Sequence, residues 1–326
     1  MVHEGIKHLV SLQNEDDGLW GKDTRYPTAI TALAGLAILG GGNTPLEGPY
    51  TQNLERVINK LLKCQSSSGW ISCGDSASMY GHGFATLFLS QIYGMSEDER
   101  IGRALKNAVL FIERFQSERG GWYYEPSADD EGSVTIVQVQ ALRAVQDVGI
   151  TVKKQVIEKA MKYVRDSQVE SGGIAYEPRQ SNASFALTAA GMAVLLNAGD
   201  YEEDSVKTKG FEYIKNNITF NPQTDHFLYA HFYAAQIYKH EMGRPMPWDS
   251  AAPEDTPPQE GGTGSLEGYL YFQNLKDILV PALQNLLDRN NRAEINQFSR
   301  EGFVYNLAMT LLILETEMGY LSIRAD

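Results

Sequence analysis

The chain has 326 residues, 43% of them hydrophobic and 21% charged, with a formal net charge of −13, a composition that can bury a large core. Charge of that sign repels nucleic-acid phosphates and anionic lipid, and no Lys/Arg stripe interleaved with aromatics offsets it locally, so no nucleic acid is expected as a partner. The longest apolar runs, such as "AITALAGLAIL", are about half the ~20 residues that a bilayer crossing needs, so no transmembrane segment is expected and the protein reads as soluble.

From its first residues, "MVHEGIKHLVSLQ", the chain enters a helical pattern and shows no basic, apolar, small-residue leader. A trimmed leader would leave the same start, so the compartment stays open. A Gln, Gly and Trp follow in "LQNEDDGLW", and then a strongly apolar segment, "YPTAITALAGLAILG". The same order returns three times, in "CQSSSGW", "FQSERGGWYYEP" and "SQVESGGIAYEP", the last with Ile174 where the others carry Trp20, Trp70 and Trp122. The two cysteines, Cys64 and Cys73, are too few for a disulfide framework, and the helical pattern of "VINKLLKCQ" makes Cys64 a packed core thiol.

The apolar segments number six: "YPTAITALAGLAILG", "YGHGFATLFLSQIYG", "TIVQVQALRAVQDVG", "FALTAAGMAVLLNAG", "YAHFYAAQIYKHEMG" and "YNLAMTLLILETEMG". They close at Gly40, Gly94, Gly149, Gly199, Gly243 and Gly319, where glycine supplies the left-handed residue that ends a helix. The helices before the turns, such as "KKQVIEKAMKYVRDSQ", carry one apolar stripe and one solvated face. Six pairs with a buried inner and an amphipathic outer member close naturally into a double ring, because closure hides the terminal faces an open stack would expose. The expected fold is all-α: one (α/α)6 toroid over residues 1–326.

The Gln…Gly…Trp turn between an outer and an inner helix resembles the QW repeat of the squalene cyclase and protein prenyltransferase superfamily, and it recurs along essentially the whole chain. The resemblance implies a central cavity whose mouth is built from the N-terminal ends of the inner helices, with the turn aromatics and glutamines in structural roles. It also implies two catalytic sets, a DxDD-type acid motif followed by Thr and a zinc site of Asp, Cys and His.

Neither set is complete here. Asp129, Asp130 and Glu131 precede the third inner helix as candidate acids, but matching Thr135 to the motif's Thr puts Val134 and Ser133 where the last two acids belong. Three adjacent acids ahead of a helix also suit its N-terminal dipole, with Ser133 as the N-cap. For zinc, His231 stands loosely in place, yet the nearby Cys73 and Asp75 occur in reversed order, so no metal site and no cofactor is expected. No Cys-Gly-x-Gln run supports a thioester.

Counting fourteen residues back from each closing glycine gives Tyr26, Tyr80, Thr135, Phe185, Tyr229 and Tyr305, a ring of aromatics with hydroxyl tips near the mouth. Such walls suit an apolar, sugar-like or cationic ligand, although tyrosines packed between helices would read the same. His82 and His231 lie two residues further on, with His226 five before His231, and Gln138 joins them as a candidate ligand contact. The segment 244–265, "RPMPWDSAAPEDTPPQEGGTGS", holds five of the twelve prolines and reads as a lid or a surface loop, with Trp248 as its anchor.

Two functions follow. One is a toroid that binds a small molecule, peptide, glycan or isoprenoid-like ligand in its cavity without either catalytic set. The other is an acid-catalysed cyclase-type enzyme using Asp129, Asp130 or Glu131, with prenyl transfer third. The direction in which those acids point separates them.

Overall fold

The computed structural model describes residues 1–21, 24–96, 98–197, 205–241 and 266–318. Five amphipathic helices stand outside: α1 (Val2–Ser11), α3 (Thr51–Lys63), α5 (Glu99–Arg114), α7 (Lys154–Asp166) and α9 (Ser205–Asn217), joined by the longer α11 (Leu266–Arg289). In α3 only Leu54, Val57, Ile58 and Leu61 are buried, the spacing of one helical face. The inner helices are α2 (Pro27–Gly40), α4 (Ser78–Ser96), α6 (Gly132–Asp147), α8 (Phe185–Asn197), α10 (Phe227–Glu241) and α13 (Phe303–Met318). Every residue of α2 is buried, and its sequence, almost without polar side chains, leaves no face for water. A short α12 (Ala293–Asn296) and a two-residue hairpin, β1 (Ile174–Ala175) with β2 (Ala183–Ser184), complete the described elements.

The inner helices pack in chain order, α2 on α4, α4 on α6, α6 on α8, α8 on α10 and α10 on α13, and α13 returns to α2. The ring is closed. Outside it, α11 also meets α1, so the outer layer joins its ends as well. Below the mouth the centre is filled: Tyr233 on α10 donates to Gln140 Oε1 on α6 at 3.2 Å, past the intervening α8.

Each joint between outer and inner helix is built the same way. Gln13, Gln65, Gln116 and Gln168 each donate to two carbonyls, one in their own turn (Gly18, Gly69, Gly120, Gly172) and one on the next outer helix (Asn53, Ala104, Val156, Val206). The four turn glycines have φ between 74° and 107°, and an added Cβ at Gly120 would overlap the Lys159 carbonyl of the following helix. A polar side chain on the inner helix then holds the turn's backbone. Thr31 accepts from Trp20 N at 3.0 Å, His82 Nδ1 from Ile71 N at 3.0 Å, Thr135 from Trp122 N at 2.9 Å and Thr188 from Ile174 N at 2.9 Å. In the fifth repeat His231 Nε2 meets the Thr219 carbonyl at 2.9 Å.

This geometry corrects several sequence expectations. Ile71, not Trp70, occupies the place of Trp20 and Trp122, because Ile71 N is the group that His82 holds; Trp70 lies one residue earlier and stacks on Phe111. Cys64 is not a core thiol but is bonded to Cys73. Cys64 ends α3, and the turn folds back through a bridge between Gln65 and Ile71, which brings the two Cα atoms to 5.3 Å. Of the closing glycines, Gly149 is left-handed after α6, but Gly94 lies inside α4 and the left-handed residue after α2 is Gly42 rather than Gly40. Gly199, Gly243 and Gly319 lie outside the described residues, as do Trp248 and the whole segment 244–265. No described helix is long and apolar enough to cross a membrane.

Candidate functional site

The N-terminal ends of all six inner helices border one mouth. Among the described residues its volume divides into three lobes. The first, about 220 Å³, is lined by Tyr26, Ala29, Ile30 and Leu33 of the α2 region, Tyr80 and Phe84 of α4, Tyr229 of α10, and Tyr305 and Met309 of α13, with Tyr124, His226 and Glu301 at its rim. The second, about 140 Å³, lies between Tyr80, Tyr124, Ser133, Tyr176, Ala186 and Tyr229. The third, about 340 Å³, is walled by Phe185, Phe227 and His231 and edged by Ser184, Thr219, Thr224 and Asp225. His226 borders all three.

His226 precedes α10 with φ of 60°, a left-handed backbone that a non-glycine residue adopts at a cost of about 1–3 kcal/mol. Its carbonyl accepts from Ala230 N at 2.8 Å, which starts α10 while turning the imidazole outward over the mouth. Three residues on, Tyr229 Oη is buried with no well-formed hydrogen bond, its ring set 4.9 Å from that of Tyr233. Burial, then the neighbouring Tyr233 and Tyr80, holds the Tyr229 hydroxyl well above the ordinary phenol range, so it is a neutral donor.

On the opposite wall a chain of hydroxyls leads inward. The Tyr80 hydroxyl meets Ser133 Oγ in a very short hydrogen bond, and Ser133 Oγ donates to the Glu131 carboxylate at 2.7 and 2.8 Å. Glu131 also accepts from the amides of Ser133 and Val134, so it, and not Ser133, is the N-cap of α6. Burial raises the Glu131 carboxyl above its usual range even though these hydrogen bonds oppose the shift. With the Ser133 proton given to Glu131, the hydrogen between Tyr80 and Ser133 comes from Tyr80. The free side of the Tyr80 oxygen therefore offers lone pairs to the mouth. Burial, with Glu131 adding to it, pushes the Tyr124 hydroxyl up to about 12, so that phenol too stays neutral.

The three candidate acids thus separate. Asp129 is exposed, and its amide donates to Ser127 Oγ at 3.2 Å. Asp130 is buried against Arg119, at 2.6 Å from Nη2 to Oδ1 and 3.0 Å from Nε to Oδ2. Glu131 stands behind the wall, one hydroxyl from the second lobe. None of the three lines the mouth.

Tyr26, Tyr80, His226, Tyr229, His231 and Tyr305 do line it. His82 does not. It is fully buried, its Nδ1 taken by Ile71 N and its other nitrogen turned toward the Ala108 carbonyl, and burial lowers it to about 4. Thr135 is a joint residue, and Gln138 is buried between inner helices, donating to the Met79 carbonyl at 2.8 Å. His231 borders the third lobe, but both nitrogens are engaged, Nδ1 with the Tyr271 hydroxyl at 3.0 Å and Nε2 with Thr219; burial lowers it to about 4 as well. The place expected for Thr135 in the ring is taken by Ser133, two residues before it, as Tyr80 and Tyr229 are two before His82 and His231, whereas Phe185 does line the mouth, at the third lobe.

Tyr124, Tyr176, Asp225 and Glu301 were not anticipated. The first two carry a signal in the sequence: "YYEP" and "AYEP" place Tyr124 and Tyr176 four residues after Gly120 and Gly172. Among the described residues no group of three His, Cys, Asp or Glu stands together to hold a metal ion. Cys73 is bonded to Cys64 and offers no thiolate.

A closed double ring of helices with its mouth at the inner N-termini defines an α/α toroid. Solved structures share that fold. An alpha-1,6-mannanase of Salegentibacter sp. HEL1_6, an inactive variant with two neighbouring aspartates replaced and in complex with alpha-1,6-mannotriose, covers 98% of this chain and 99% of its own, with a TM-score of 0.67 and 9% identity. A glycosidase variant covers 98% and 97%, with a TM-score of 0.57 and 12% identity. A type II terpene cyclase from Scytonema reaches a TM-score of 0.45 at 13% identity over 90% of this chain and 99% of its own, too low to carry weight. At these identities the likeness is one of fold alone. No protein-family model matches the sequence, and no curated protein sequence matches it significantly.

Proposed function

We propose that this toroid binds a short glycan at its central mouth and carries neither the DxDD set nor the zinc set of the superfamily its turns resemble. The observation that carries the reading is the convergence of Tyr26, Tyr80, Tyr124, Tyr229 and Tyr305 on one hollow with His226 above them. Aromatic faces take the apolar face of a pyranose ring, while phenol and imidazole tips meet its hydroxyls. Mannanase and glycosidase neighbours support a glycan over other small ligands, as analogy.

Prenyl transfer is disfavoured by charge, since no Lys or Arg is among the described residues that line the lobes to receive a diphosphate. Acid catalysis is the second reading, favoured by the buried Glu131 and its hydroxyl chain to Tyr80. Titration with alpha-1,6-mannotriose and a panel of other neutral and amino trisaccharides, followed by tyrosine and tryptophan fluorescence, tests the first. Saturable binding that Tyr229→Ala weakens at least about tenfold, with the fold retained by circular dichroism, is expected. Binding of no glycan, or binding untouched by Tyr229→Ala, would remove the central mouth from consideration. Release of reducing ends, lost in Glu131→Gln, would favour the second reading.

A further inference from the structure

The charge of the mouth is one-sided. Asp225 edges the third lobe and Glu301 the first, and Glu131 lies behind the second; the described lining residues include no Lys and no Arg. Glu301 is close enough to Tyr26 and Tyr305 to add to the rise that burial gives both phenols. Arg25 stacks on Tyr26, 5.8 Å from the ring centre, but is not among the residues lining the lobe.

The walls add a second, independent preference. Tyr26, Tyr80, Tyr124, Tyr229, Tyr305 and Phe84 surround the first lobe, and a cation over an aromatic face is attracted by the ring quadrupole. The Tyr80 oxygen, its proton committed inward, adds an acceptor where a donor-rich group would sit. Rings, acceptor and carboxylates all favour one kind of group, and each disfavours an anion.

We infer that the mouth selects an organic ammonium group, so that the glycan it takes is one bearing free amines. This rests on the glycan reading for the sugar, but not for the charge. At mildly acidic pH, where the titration is run, the amine of a glucosamine unit is largely protonated; the N-acetylated unit is neutral. The ammonium sits in the first lobe between the phenol faces, toward Glu301, and the sugar body extends past His226 to the polar edge at Thr224 and Asp225.

The test is calorimetric titration of the whole chain with a glucosamine trisaccharide, its N-acetylated counterpart, alpha-1,6-mannotriose and tetramethylammonium chloride, the last against sodium chloride. The free-amine trisaccharide should bind at least about tenfold tighter than the acetylated one, weaken as salt rises, and lose most of that advantage in Glu301→Gln. Glu301 is a partly exposed loop residue, so this variant should fold normally. Equal binding of the amine and acetyl forms would overturn the charge inference and leave the glycan reading standing. Tetramethylammonium binding as tightly as the trisaccharide would support recognition of the cation and overturn the glycan reading. No binding by any probe would overturn both.

Discussion

Replacing Thr135 by Val removes one hydroxyl from the third joint and little volume. Its Oγ1 accepts from Trp122 N at 2.9 Å and donates to the Glu131 carbonyl at 2.6 Å, and Thr135, Trp122 and Glu131 are all buried. Water cannot reach the orphaned Trp122 amide, so the loss is the desolvation cost of an unpaired donor, about 1–3 kcal/mol, rather than the smaller net value of an exchangeable hydrogen bond. Thr188→Val should cost a similar amount, because Thr188 holds Ile174 N in the same way. Urea unfolding followed by circular dichroism gives the comparison: the midpoint falls in both variants while the slope is unchanged. A loss under about 0.5 kcal/mol in both would mean that the joints do not depend on these hydroxyls and that the repeated geometry is incidental.

Gly120→Ala should destabilise more than an ordinary turn substitution, by roughly 2 kcal/mol or more, because it adds a φ of 107° to an overlap with the Lys159 carbonyl; Gly149→Ala, with the same handedness but open space, is the control in thermal melts. His82 and His231 are both lowered from 6.5 to about 4 by burial. Their neutral forms contribute stability that is fully present above about pH 6.5 and lost as pH falls toward 4, so Tm should drop across that window, and by less in His82→Asn. Glu315 is fully buried on α13 with neither oxygen paired, and burial raises its carboxyl well above 4.5. Its stabilising protonated form is complete below the ordinary value and is lost as pH rises through the raised one, so Glu315→Gln should raise Tm more at pH 8 than at pH 5.

The ring of six buried helices was legible because an inner helix such as α2 is apolar on every face and an outer one such as α3 on only one. The joints were legible from their Gln and Gly residues. What failed was the register at the mouth. Counting back from a closing glycine assumes inner helices of one length, whereas α2 runs 14 residues and α6 runs 16. That assumption placed Thr135 in the ring instead of Ser133. The recurring element is the hydrogen bond from turn to inner helix, and its span varies, 11 residues from Trp20 to Thr31 but 14 from Ile174 to Thr188. Asp225 and Glu301 were hidden for another reason: they come from loops whose approach to the mouth depends on closure of the ring, which no local pattern records.

Hydrogen exchange in the presence and absence of a saturating amino trisaccharide tests the site most directly. Slowed exchange should appear together in four segments far apart in sequence, around Tyr26–Leu33, Tyr80–Phe84, His226–Tyr229 and Glu301–Met309, because only the closed ring brings them to one hollow. Slowing confined to a single segment, or centred on the outer hollow at Lys215, Tyr238 and Asn274, would contradict it.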